Sequence, residues 1–105
     1  MNPTLKRIKR CVIENRVRFT YKAGVEMLRD GLTERPVLES ILDADDFAKI
    51  IRSRALTKGK ARELLYVIKS FSYDGDYIYT KGKLNEERGE DVFYVLISAK
   101  LVMEE

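Results

Sequence analysis

Over the first dozen residues, apolar positions recur with the period of an α-helix. Leu5, Ile8 and Val12 line one face, while Lys6, Arg7, Lys9 and Arg10 crowd the others. Asn2 followed by Pro3 supplies a cap and a first-turn proline. Val17 to Phe19 is a short β-like piece. Thr20 can cap a second helix that Gly31 ends, with Tyr21, Val25 and Leu28 expected as its buried stripe. Thr33 can cap a third helix, with Pro36 in its first turn. Val37, Leu38, Ile41 and Leu42 form that helix's apolar face, and Asp43 to Asp46 closes it.

The pattern then changes to β. Phe47 to Arg52 is a candidate strand, and a helix is also open there. Arg54 to Arg62 reads as a basic loop around Gly59. Leu64 to Tyr73 and Asp76 to Leu84 read as two strands of a hairpin turned at Asp74-Gly75. Asn85 to Asp91 reads as a charged loop, and Val92 to Ser98 as a last strand. Helices first, then an antiparallel meander, indicate an α+β domain with helices packed on one sheet face. A length of 105 residues suits one domain spanning 1–105.

A two-residue turn at Asp74-Gly75 pairs Phe71 with Ile78, Ser70 with Tyr79 and Ile68 with Lys81. Leu65, Val67, Phe71, Ile78 and Leu84 then share an apolar face that should meet the helices, interrupted by Lys69 and Thr80. Tyr66, Ser70, Ser72, Tyr77, Tyr79, Lys81 and Lys83 share the other. A three-residue turn would shift this pairing. A face of tyrosines, hydroxyls and lysines can stack bases and contact phosphates, although an ordinary solvated face has the same composition.

Charge sharpens this picture. The net charge is only +3, but residues 1–22 hold seven Lys/Arg and one Glu, and residues 49–62 hold six basic residues and no acid. Residues 26–46 carry seven acids and two bases. Two basic blocks in so short a chain fit a polyanion, and a clustered solvated surface is the plainer alternative. There is no histidine, which removes Ser-His-Asp triads, Cys-His dyads and histidine-bound zinc. Acid-base chemistry must then use Lys, Arg, Tyr, Asp or Glu. Cys11 is the only cysteine and reads as a small buried hydrophobe rather than a catalytic thiol. No metal-loop pattern is visible, so neither a metal nor another cofactor is expected. No apolar run approaches the roughly 20 residues that span a bilayer. A cytoplasmic location and no membrane partner are therefore expected.

The run Val17-Arg18-Phe19-Thr20-Tyr21-Lys22-Ala23, then Leu28, Gly31-Leu32-Thr33 and Val37 to Leu42, resembles the helical start of the MqsR/RelE-like bacterial toxins and a related uncharacterised branch. Tyr79 to Lys83 and Phe93 to Lys100 resemble that group's closing strands. The resemblance implies a RelE-like fold, with N-terminal helices on a curved antiparallel sheet. It also implies an endoribonuclease (an mRNA interferase) silenced by a cognate antitoxin protein. In such metal-independent ribonucleases the RNA's own 2′-hydroxyl attacks. The family's strand tyrosine falls on Tyr79, its late lysine on Lys100, and its earlier basic position near Arg52 or Arg54. Lys22 stands where related members often carry histidine, and the MqsR-like glutamine has no equivalent.

The expected site therefore has Tyr79, Lys81 and Lys100 as catalytic groups. Arg52, Arg54, Lys60, Arg62, Tyr66, Tyr77 and Lys83 are expected to bind RNA. Two other readings are open: a nucleic-acid-binding domain that uses the same residues without catalysis, and an interaction module whose basic first helix docks an acidic partner.

Overall fold

The computed structural model describes residues 2–52 and 63–103. Three helices, α1 (Pro3–Ile13), α2 (Tyr21–Asp30) and α3 (Glu34–Asp43), accompany five strands: β1 (Val17–Phe19), β2 (Lys49–Arg52), β3 (Leu64–Phe71), β4 (Tyr77–Glu87) and β5 (Glu90–Leu101). The strands form one sheet in the order β1-β5-β4-β3-β2. The α+β class and the antiparallel meander from β2 to β5 are both present. The sheet is not wholly antiparallel, because β1 runs parallel to β5. A three-residue strand carries no sequence signal of its direction. No described helix is long and apolar enough to cross a membrane.

Local chemistry accounts for the helix starts. Asn2 Oδ1 accepts the N–H of Thr4 at 2.8 Å, and Thr20 Oγ1 accepts that of Ala23 at 3.2 Å. Thr33 stands at the α3 N-cap, but its side chain makes no capping bond. Leu5, Ile8, Cys11 and Val12 of α1 join Val37 and Ile41 of α3 over Tyr66, Ile68, Ile78, Tyr94 and Leu96 of the sheet. Cys11 is a buried apolar filler, as its setting on α1 predicts.

The stripe expected on α2 is reversed. Ala23 and Met27 point inward, whereas Tyr21, Val25 and Leu28 are 78%, 41% and 83% exposed. The cause is the bonding of α2 to β5. Glu26 accepts the Ala99 N–H at 3.3 Å, and Asp30 accepts that of Leu101 at 2.9 Å. Four helical residues rise about 6 Å, and two strand residues rise about 6.6 Å. Carboxylates at i and i+4 therefore match alternate N–H groups of β5, and this match fixes the rotation of α2.

The hairpin turns also differ from expectation. Tyr73, Asp74 and Gly75 form a three-residue loop closed by the Ser72 N–H on the Asp76 carbonyl at 2.9 Å. Gly75 has φ +93°, the left-handed third position of such a loop. Phe71 consequently pairs with Tyr77, not with Ile78, and Lys69, not Ser70, pairs with Tyr79. At the other end the expected loop Asn85 to Asp91 is mostly strand. Arg88 and Gly89, both at positive φ, make a two-residue turn between Glu87 and Glu90. α1 holds this hairpin: Arg7 bonds to Glu86 and, at 2.5 Å, to Asp91. Arg16, just beyond α1, donates to the Asp91 carbonyl. Asp43, at the end of α3, accepts the Ser70 hydroxyl at 3.0 Å and so has a structural use.

Tyr94 is fully buried, and its ring lies across Gly82 of the neighbouring strand. A Cβ at Gly82 would come within 2.5 Å of Tyr94 Cζ and 2.8 Å of the Val95 carbonyl oxygen. Gly82→Ala is expected to destabilise the protein by about 1–3 kcal/mol, as overpacking does. Gly24→Ala, where a Cβ meets nothing within 4 Å in the middle of α2, should stabilise it by about 0.5–1 kcal/mol. Urea unfolding of both variants checks this pair. Burial also pushes the Tyr94 hydroxyl far above the ordinary tyrosine range. The unfolded chain ionises this group above about pH 10 and the folded chain does not, so its contribution is full below pH 10 and is lost as pH rises. The alkaline limb of stability against pH should therefore flatten in Tyr94→Phe, measured as urea midpoints from about pH 8 to 11.

Candidate nucleic-acid interface

The sheet has one face under α1 and α3, and a second face that α2 borders along β5, where Glu26 accepts the Ser98 hydroxyl at 2.7 Å. The strand pairing determines which side chains share each. Tyr66 and Ile68 on β3, Ile78 on β4, and Tyr94 and Leu96 on β5 belong to the helix-covered face. By alternation, Leu65, Val67, Lys69 and Phe71 of β3 and Tyr77, Tyr79, Lys81 and Lys83 of β4 point the other way. For β4 this is the expected division. For β3 it is the reverse, because the hairpin loop holds three residues instead of two.

The consequence for Tyr66 is a correction. It was expected among bases on the open face, but it is 8% exposed and packs on Phe47 with ring centroids 4.8 Å apart. Lys69 takes its place on the open side. Val67, also on that side, is only 3% exposed and gives the face an apolar position between Lys49 and Lys81.

A β-bulge decides the position of Lys100. Lys81 pairs with Ser98, but Gly82 pairs with Leu96, so Ile97 is an extra residue in β5. The alternation changes there: Tyr94 and Leu96 face the core before the bulge, and Ala99 does so after it. Unbroken alternation would turn Lys100 to the same side as Tyr94. With the bulge, Lys100 pairs with Tyr79 on the open face. Its ammonium lies 5.3 Å from the centre of the Tyr79 ring.

Three adjacent strands therefore carry Lys69, Tyr79 and Lys100 in one row. The next row holds Lys49, Val67 and Lys81. Beyond it, Lys83 is tied to Glu63 at 3.2 Å. In the opposite direction Tyr77 stacks on Phe71, 4.7 Å between centroids and 23° between planes. Lys69, Tyr79 and Lys100 line an open hollow of about 340 Å³ with Leu101, Val102 and Met103. Farther along β5, the Arg18 guanidinium lies 3.8 Å above the Phe93 ring.

Of the sequence-derived site, Tyr77, Tyr79, Lys81, Lys83 and Lys100 share this face. Arg52 pairs with Leu64 and has the parity of Tyr66, so it is exposed away from the lysine rows. Arg54, Lys60 and Arg62 lie outside the described residues. Lys49 and Lys69 belong to the face and were missed. A two-residue turn would place Lys69 on the buried side, and the sequence pattern sets no side for Lys49. The basic block of α1 is partly spent on structure, since Arg7 serves the β4–β5 hairpin and Lys9 donates to the Ala44 carbonyl at 2.5 Å. Among the described residues, no cluster of three or more Cys, Asp or Glu side chains could hold a metal ion.

Electrostatics separate the roles of the groups. Burial, with a smaller effect from Glu26, raises the Tyr79 phenol above its ordinary range. At neutral pH this hydroxyl is a proton donor and not a base. Burial also works against ionisation of Glu26, but hydrogen bonds from Ser98 and Ala99 outweigh it, helped by Lys22 and Lys100. The carboxyl ends below its ordinary range. Tyrosinate absorbance can test the Tyr79 assignment, because the chain has no tryptophan and six tyrosines. Tyr79→Phe should remove amplitude only from the part of the titration above about pH 10; loss of amplitude below pH 10 would contradict a raised phenol.

No protein-family model matches the chain, and no curated protein and no solved structure shows significant similarity to it.

Proposed function

We propose that the open sheet face binds single-stranded RNA and cleaves it by attack of the RNA's own 2′-hydroxyl, as a toxin-like endoribonuclease. The row Lys69, Tyr79 and Lys100, backed by Lys81, is the observation that carries this reading. Lys69 and Lys100 flank Tyr79 on the neighbouring strands, Lys81 follows it two residues on, and burial raises the phenol so that it stays protonated at neutral pH. That set suits a phosphodiester: the cations stabilise the charge that builds on the phosphorane, and the phenol delivers a proton to the departing 5′-oxygen. The 2′-oxygen forms the new bond to phosphorus, its proton passes to solvent, and a 2′,3′-cyclic phosphate remains. Exposed Phe71 and its partner Tyr77 offer aromatic surface for flanking bases. On this reading the finer fold is RelE-like, the kin are MqsR-like toxins, the chain acts in the cytoplasm, and an antitoxin protein silences it.

Tyr79 also supports a second reading. A phenol with a raised pKa is a weaker acid and gives its proton less readily to a departing 5′-oxygen, which fits binding without cleavage. One set of experiments covers both. The purified chain is titrated into a fluorescent single-stranded RNA at several salt concentrations and incubated with a long mRNA. Lys100→Ala should weaken binding about tenfold and reduce the slope of log K against log salt by about 0.7. Tyr79→Phe should bind nearly as well but lose cleavage by about 100-fold. Cleavage equal in wild type and Tyr79→Phe would remove the catalytic assignment. Salt-sensitive binding with intact RNA would leave the binding domain, and salt-insensitive binding would remove both.

A further inference from the structure

The second helix carries a surface that the RNA reading does not use. Tyr21, Val25 and Leu28 lie at i, i+4 and i+7, so they form one ridge along α2, and all three are exposed. The opposite side of α2 is fully engaged. Ala23 and Met27 are buried, Glu26 binds Ser98 at 2.7 Å and Ala99 at 3.3 Å, and Asp30 binds Leu101. Both carboxylates of α2 are thereby turned toward β5, and the charges left beside the ridge are those of Lys22 and Arg29. Lys22 reaches Glu26 at 3.6 Å, yet its side chain remains 60% exposed.

Gly24 adds an independent mark. It sits within α2, next to the ridge, in a position where glycine is less favourable than alanine. Nothing in the folded chain requires it, since a Cβ there meets no atom within 4 Å. A glycine without an internal cause, next to exposed apolar side chains, lets a second backbone approach closely.

We infer that α2 is a docking ridge for an acidic amphipathic helix of a partner protein. Tyr21, Val25 and Leu28 are its anchors in the spacing of helix-in-groove recognition. Gly24 provides the close approach, and Lys22 and Arg29 pair with acidic flanks. A second copy of this chain fits less well, because pairing two α2 ridges sets Lys22 and Arg29 against their own copies. A lipid surface fits less well too, because it gives Gly24 no role.

The test uses the full chain and a synthetic helical peptide with leucine at heptad positions a and d and glutamate at e and g, labelled for anisotropy. A matched peptide with lysine at e and g is the control. The glutamate peptide should bind at least about tenfold more tightly than the lysine peptide. Leu28→Asp and Val25→Asp should abolish binding. Gly24→Leu should weaken it about tenfold while helix content and melting temperature stay at or above wild type. Because these side chains are exposed, unchanged circular dichroism separates lost docking from lost folding. Equal affinity for the two peptides, no binding up to about 1 mM, or indifference to Leu28→Asp would overturn the proposal. So would concentration-dependent dimerisation in light scattering that Leu28→Asp abolishes. Binding to phosphatidylserine vesicles in preference to the glutamate peptide would overturn it as well. RNA binding by Leu28→Asp should be unchanged, so the outcome is independent of the reading of the open face.

Discussion

The organisation of this protein depends on parity in its β-strands. Side chains alternate between two sides, so a single added residue exchanges every later side chain between core and solvent. Two single-residue devices set the parity here. The loop Tyr73-Asp74-Gly75 has three residues rather than two, which pairs Lys69 with Tyr79. The bulge at Ile97 adds one residue to β5, which moves Lys100 out of the series that buries Tyr94 and Leu96. Without either device, Lys69, Tyr79 and Lys100 would not share a row.

The packing beneath the sheet makes these choices stable. Tyr94 fills the core only because Gly82 has no side chain to oppose it. Beyond β1, the edge of β5 presents backbone N–H groups, and an unpaired edge is costly or sticky. Glu26 and Asp30 satisfy two of these donors from a helix. The same bonds turn Tyr21, Val25 and Leu28 to solvent. The exposed ridge and the satisfied edge are therefore two results of one orientation, which ordinary amphipathic packing would not select.

The basic residues divide into two groups by what they touch. Arg7, Lys9 and Arg16 hold α1 to the β4–β5 hairpin and to the end of α3. Lys49, Lys69, Lys81 and Lys100 stand on the face opposite α1 and α3, and no ion pair is present for them among the described residues. A net charge of +3 conceals this division. Lys49, Lys69 and Lys100 are exposed, whereas Val67 between them is 3% exposed, and burial raises the phenol of Tyr79 beside Lys100.

The sequence by itself determined the helices, their starts at Asn2 and Thr20, the end of α2 at Gly31, the burial of Cys11 and the meander of strands. These depend on local periodicity and capping, which a short window contains. It also gave the faces of β4, because tyrosines and lysines alternate there with Ile78, Thr80 and Leu84. It did not decide β3, where Leu65, Val67 and Phe71 compete with Leu64, Tyr66 and Ile68 at nearly equal apolar content. Periodicity cannot choose between two such faces; the turn does, and both two- and three-residue loops suit Asp-Gly. The side of α2, the parallel direction of β1 and the position of Lys100 were likewise settled only in the tertiary structure. Each depends on a contact between residues distant in sequence: Glu26 and Asp30 with β5, Phe19 with Leu96, and Tyr79 with Lys100 across the bulge.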